Sequence, residues 1–172
     1  MSGERQVVVC VGNRYRRDDS AALYLADRLR SFSPRLVEIV TLEGEPTALL
    51  EIFDSSQLVI LVDAVATDGV PGLIRRFDAT DQPVPGSVFG ASTHAFGLSE
   101  TIELARALGK LHGTVLVYGI NGQNFSAGEG LSPQVASAMQ TLAVEILNDL
   151  NDRDGQPAEG RRAAHARASS DD

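Results

Sequence analysis

Leu58-Val59-Ile60-Leu61-Val62-Asp63 is the stretch that decides the fold. It is the most apolar run in the chain, and an acid closes it. A strand with one wet face alternates polar and apolar residues. An unbroken aliphatic run predicts instead a strand covered on both faces, in the middle of a parallel sheet. Val7 to Val11 repeats the pattern upstream and breaks at Gly12-Asn13, and Val115 to Tyr118 repeats it downstream. Leu36 to Leu42, between Pro34 and Gly44, reads as another strand. Leu73 to Phe77 follows the turn signals Asp68-Gly69 and Pro71-Gly72 and reads as a short edge strand or hairpin arm. Ser87 to Ser92 reads as a further short strand.

The segments between these runs carry helical spacing. Asp18, Asp19 or Ser20 is placed to cap a helix whose Ala22, Leu25, Ala26 and Leu29 share one face, and Asp18 reads as such a cap or as a group supporting Asp19 from behind. Pro46 opens a helix to about Asp54 with Leu49, Leu50 and Phe53 inward. Ser99 is placed to cap a helix carrying Ile102, Ala105 and Leu108, which ends at Gly109. Ser132-Pro133 opens the last helix, where Val135, Met139, Leu142, Ile146 and Leu150 form one stripe. Strands alternating with helices predict a single layered α/β domain over residues 1–150. Its sheet is mostly parallel and twisted, of about five strands, with helices on both faces. Residues 151–172 lose the large apolar side chains and read as a disordered tail.

The 172 residues suffice for one domain with a substantial core. A net charge of −8 and a pI near 4.8 argue against general binding to nucleic acid or anionic membranes, which need basic surface. No apolar stretch is long enough to span a bilayer, and Met1 to Gln6 lacks the layout of a secretory signal. With a single cysteine, these features predict a cytoplasmic protein.

In an open parallel sheet the loops leaving the carboxyl ends of the strands gather at one edge, where ligands bind. Three chemically capable residues sit at such exits: Asp19 after the first strand, Asp63, and His94 in Ser92-Thr93-His94. Each has a plain reading as well. Asp19 suits the first turn of a helix, Asp63 suits a turn, and a lone histidine is more often structural than a ligand. Together, two carboxylates and an imidazole would suit Ni, Zn, Mn or Fe. Dinucleotide, P-loop and nucleophile-elbow motifs are absent. Cys10 lies within a strand and reads as core packing, with a Cys/His pair as the minority alternative. Arg14, Arg16 and Arg17 read as a solvated loop, or as a grip on an acidic partner segment.

The order of motifs resembles a known family. A strand leads into Gly12-Asn13, four residues, then Asp18-Asp19. Next come Val62-Asp63-Ala64-Val65 with Pro71-Gly72, and Ser92-Thr93-His94-Ala95-Phe96-Gly97-Leu98. Tyr118-Gly119-Ile120 and Gly130-Leu131-Ser132-Pro133 follow. This arrangement, over about residues 6 to 150, resembles the hydrogenase maturation proteases. These endopeptidases trim the C-terminus of the nickel–iron hydrogenase large subunit after nickel insertion. The resemblance implies that Asp19, Asp63 and His94 are both the metal-contacting and the catalytic residues of an aspartic-type endopeptidase. It implies that the nickel arrives with the large-subunit precursor rather than residing here, although another divalent metal would fit the same donors. The family often has Glu at the position of Asp19, Gly at those of Cys10 and Ser20, and a different loop at Leu42 to Thr47, so partner choice is the property most open to change. Two other readings stay open. One is a noncatalytic, nickel-dependent chaperone of the precursor tail. The other is a small-molecule α/β hydrolase or phosphorylase-like enzyme, which would need a phosphate cradle in Gly12 to Arg17.

Overall fold

The unbroken aliphatic run becomes β3 (Leu58–Val65), buried at every position. The computed structural model describes residues 5–32, 37–44, 47–85 and 97–154. β1 (Gln6–Val11) and β5 (Thr114–Asn121) flank β3 in parallel, and β2 (Glu38–Leu42) lies beyond β1. β4 (Ile74–Asp78) pairs antiparallel with β5, so the sheet order is β2-β1-β3-β5-β4. The mostly parallel five-stranded sheet of a single α/β domain is therefore as expected, and the edge strand sits one residue later than its pattern suggested. The short strand expected at Ser87 to Ser92 lies outside the described residues.

Alternation along each strand sorts the core into two layers. α1 (Ala21–Phe32) and α4 (Pro133–Asp154) cover one face, against Val8, Cys10, Ile60, Val62, Leu116 and Tyr118. α2 (Thr47–Ser55) and α3 (Leu98–Ala107) cover the other, against Val9, Val11, Leu61, Val65 and Val117. Each aliphatic side chain so buried contributes about 1.5–3 kcal/mol relative to exposure. This explains one departure from the sequence reading. α3 starts at Leu98 behind Gly97, with no side-chain cap, and Ser99 lies inside the first turn. Burying Leu98 is worth more than the ~1 kcal/mol that a serine cap supplies. α4 also runs to Asp154, about one turn beyond Leu150, since helix propagation needs no buried face once nucleated.

Polar contacts fix the outer elements. Arg106 of α3 donates to the carbonyls of Ala79 and Thr80, both at 2.7 Å, closing the loop after β4. Asp149 of α4 accepts from Tyr118 at 2.5 Å and from both Nε and Nη2 of Arg76 at 2.9 Å. No helix among the described residues is long and apolar enough to cross a membrane.

The order of connections matters for function. From β1 the chain passes through α1 to β2 on one side. It then returns through α2 to β3 on the other. Loops therefore diverge at the carboxyl ends of β1 and β3, the position where open α/β sheets hold ligands.

Candidate active site at the divergence of β1 and β3

Asp63 stands within β3 rather than in a turn after it, paired with Val11 on β1 and with Gly119 on β5. It is 2% exposed and points to the α2/α3 face by alternation with Leu61 and Val65. Its Oδ1 has no hydrogen-bond partner among the described residues. Burial pushes the carboxyl well above the usual carboxylate range, the nearby charge of Asp19 pushes the same way, and a hydrogen bond from the Ala64 amide opposes both. The two expected carboxylates are thus brought together. A carboxyl so placed favours its neutral form, or a cation beside it.

Asp19 arrives there by a tight route. After Gly12 the chain turns through Asn13 to Arg16 into a 3-10 turn (Arg17–Ser20), which runs directly into α1. The Asn13 amide donates to the Asp19 carbonyl at 3.2 Å. A Cβ on Gly12 would lie 2.1 Å from that same carbonyl oxygen, so a side chain at position 12 would push the turn off the strand. Asp19 is 1% exposed.

Asp18 does not cap α1 as its position suggested. Its carboxylate turns away to the segment between β5 and α4. There it accepts from the Gln123 and Asn124 amides at 2.8 Å and from the Ser132 amide and hydroxyl at 2.7 Å. Burial raises its pKa, but the hydrogen bonds from Ser132, Asn124 and Gln123 outweigh burial and hold the carboxyl below its ordinary value. Asp18 is the clamp that fixes the turn presenting Asp19. Its partners lie more than a hundred positions away, so no local pattern named them.

His94 lies outside the described residues. Among the described residues no three His, Cys, Asp or Glu side chains form a cation-binding group. Two arginines of the first loop make contacts within the protein itself. Arg14 pairs with Asp27 at 3.4 Å and Glu43 at 3.8 Å, and Arg17 donates to the Glu129 carbonyl at 3.4 Å. The loop amides are spent internally too: those of Asn13, Tyr15, Arg16 and Arg17 donate to Asp19, Asn13, Asn13 and Gly128. That leaves little of the amide cradle a phosphate would require.

Cys10 is fully buried on the α1/α4 face, opposite to Asp63. Burial pushes its thiol up to about 12, with small opposing influences from Arg30 and Asp27. A thiol so placed is no nucleophile. Treatment of the native protein with iodoacetamide is expected to leave Cys10 unlabelled and activity intact. Stoichiometric labelling with loss of activity would restore the cysteine reading.

A family model described as hydrogenase maturation protease matches residues 23–149, taking in Asp63 and the position of His94 and starting just past Asp19. The chain belongs to the hydrogenase maturation protease family. Its members are endopeptidases, so the protein is a hydrolase. Solved structures agree on the fold of this maturation protease. The Escherichia coli hydrogenase maturating endopeptidase HybD matches with a TM-score of 0.73 at 21% identity, covering 86% of this chain and 93% of its own. The nickel–iron hydrogenase maturation protease HybD from Thermococcus kodakarensis gives 0.68 at 23%, covering 85% and 98%. A hydrogenase 2 maturation peptidase from a Thaumarchaeota archaeon gives 0.63 at 26%, covering 86% and 98%. No curated protein sequence matches.

One polar residue of the maturation protease escaped the sequence reading. Asn121 ends β5, fully buried, with neither side-chain atom hydrogen-bonded among the described residues. Asparagine is depleted in strands, so its place after Tyr118-Gly119-Ile120 was a signal available to be read.

Proposed function

We propose that this protease removes a C-terminal extension from a nickel-loaded nickel–iron hydrogenase large-subunit precursor in the cytoplasm. The observation that carries the reading is Asp63. It is a buried carboxyl with an unpartnered oxygen, beside a second carboxylate, at the divergence of β1 and β3 in a chain of this family. Such a pair is costly to keep ionised unless a cation joins it. Two hard oxygen donors and the imidazole of His94 suit nickel, or another divalent metal. In this reading Asp19, Asp63 and His94 contact nickel belonging to the substrate, and the scissile peptide is held beside them.

The checkpoint is one of positioning. Without the metal, the tail lacks the contact that places its peptide bond at the acids. The nickel, when present, polarises the scissile carbonyl or its attacking water. Asp19 or Asp63 acts as general base: it takes a proton from the water, whose oxygen adds to the carbonyl carbon. The C–N bond then breaks, and the proton passes to the leaving nitrogen. Neither a serine nor a cysteine nucleophile is needed.

The test uses purified precursor with and without nickel. Loss of a short C-terminal peptide from the loaded form alone, seen as a mass change, is expected. Equal cleavage of both forms would remove the checkpoint. Nickel-dependent binding with no mass change would make the protein a chaperone of the tail.

A further inference from the structure

Asp63 has a neighbour that the acids do not account for. On β5 the residues facing α2 and α3 are Val115, Val117, Gly119 and Asn121, by the same alternation that points Asp63 that way. Gly119 is the register partner of Asp63 and adds no side chain beside it. Asn121, the next residue on that face, pairs with Val65 and ends the strand at the same carboxyl edge. From the strand spacing and rise, its Cα lies about 8 Å from that of Asp63.

The position of Asn121 is tightly determined. Its backbone amide donates to the Leu73 carbonyl at 2.9 Å, and its carbonyl accepts from the Gly72 amide at 2.8 Å. Gly69 lies close to its carboxamide. A Cβ at position 69 would fall 2.2 Å from Nδ2. Yet both Nδ2 and Oδ1 are buried with no hydrogen-bond partner among the described residues. A packed but unbonded carboxamide destabilises a fold, and an apolar side chain of the same shape would serve the core better. The natural explanation is a partner that arrives from outside.

We infer that the Asn121 carboxamide docks a backbone peptide group of the substrate tail, about two residues from the scissile bond by the rise of an extended chain. The chemistry selects this class of ligand. Nδ2 needs an acceptor and Oδ1 needs a donor. A cation would engage only the oxygen and a carboxylate only the nitrogen, whereas a peptide group offers C=O and N–H together. Asn121 is thus a positioning residue for the tail, next to the acids that act on it. The inference rests on the proposed proteolytic reading of the site.

The experiment compares wild type with Asn121→Leu and Asn121→Ser, using nickel-loaded precursor. It measures Kd, kcat, KM and Tm on the same preparations. Asn121→Leu should fold with a Tm equal to or above that of wild type, while Kd and KM rise about tenfold or more, as expected for losing two hydrogen bonds. Asn121→Ser, which keeps a smaller donor and acceptor, should fall between. Unchanged Kd and kcat/KM in a folded Asn121→Leu would overturn the docking role, leaving the protease reading intact. A lowered Tm with unchanged Kd would assign Asn121 to the fold and overturn it equally. Tight binding by wild type without cleavage would overturn the protease reading alone, since the share of Asn121 would still be read in Kd. Neither binding nor cleavage by wild type would overturn both.

Discussion

Asp63→Asn is expected to abolish precursor processing and, in the same protein, to raise thermal stability. The activity loss should be about 10²–10⁴-fold, the range for removing a positioned proton-transfer group. The stability gain follows from the surroundings of the carboxyl. Asp63 is buried, close to the charge of Asp19, and has one oxygen without a partner among the described residues. Asparagine keeps its shape, can still accept from the Ala64 amide, and carries no charge to desolvate. Relief of this kind is typically worth about 0.5–2 kcal/mol, and each kcal/mol moves Tm by about 2–4 °C in a domain of this size.

The sign of the pH dependence follows from the direction of the shift. The folded state holds the Asp63 proton more tightly than the unfolded chain does. Its contribution is therefore fully present below the unfolded value, about 3.9, and is lost as pH rises toward the raised folded value. The Tm gap between Asp63→Asn and wild type should widen as pH climbs above about 4 and then level off. Paired thermal melts across pH, in metal-free buffer, measure it. A variant less stable than wild type at neutral pH would show that Asp63 supports the fold, and the case for a strained site would collapse.

The second large effect belongs to the neighbouring residue and has the opposite character. Asp18→Ala should destabilise the protein by about 1–3 kcal/mol, because it strands part-buried backbone donors that now share one carboxylate. The amides of Gln123, Asn124 and Ser132 would all lose their acceptor. With the folded pKa held low, the contribution of Asp18 is present above about 3.9 and is lost as pH falls through the folded value. The gap between wild type and variant should therefore narrow on acidification, the reverse of the Asp63 case. Processing should weaken as well, since the turn that presents Asp19 loses its clamp. Urea melts at neutral and acid pH would decide. A loss below about 1 kcal/mol would mean that the segment from Gln123 to Ser132 finds other acceptors without Asp18.

These adjacent aspartates mark how far the amino-acid order could be read. The aliphatic run of β3 has one stable placement, so the centre of the sheet was legible, as were Val7 to Val11 and the edge strand near Ile74. Asp19 and Asp63 were legible as a possible site because strand exits converge by topology alone, and in the fold the charge of Asp19 acts on the Asp63 carboxyl. Asp18 was legible as a cap or as a support for Asp19, but the choice between them was not, because the distant partners that decide it are set by the fold. For Asn121 the sequence offered only an asparagine at the end of a strand, while its lack of bonds in a packed interior is written in no spacing. The start of α3 at Leu98 was misplaced because burial of one leucine outweighed a good serine cap.

The pairing of Val11 with Asp63 has a consequence for how such a protein can change through descent. Trading one branched aliphatic residue for another along β1 or β3 leaves the acid where it was. Deleting a single residue from β3 ahead of Asp63 would instead turn the carboxylate to the opposite face, among Cys10, Ala22 and Leu142. Lineages are therefore free to rewrite the letters of these strands but not their lengths. Chains sharing 21–26% of their residues with this one can still superpose on its sheet.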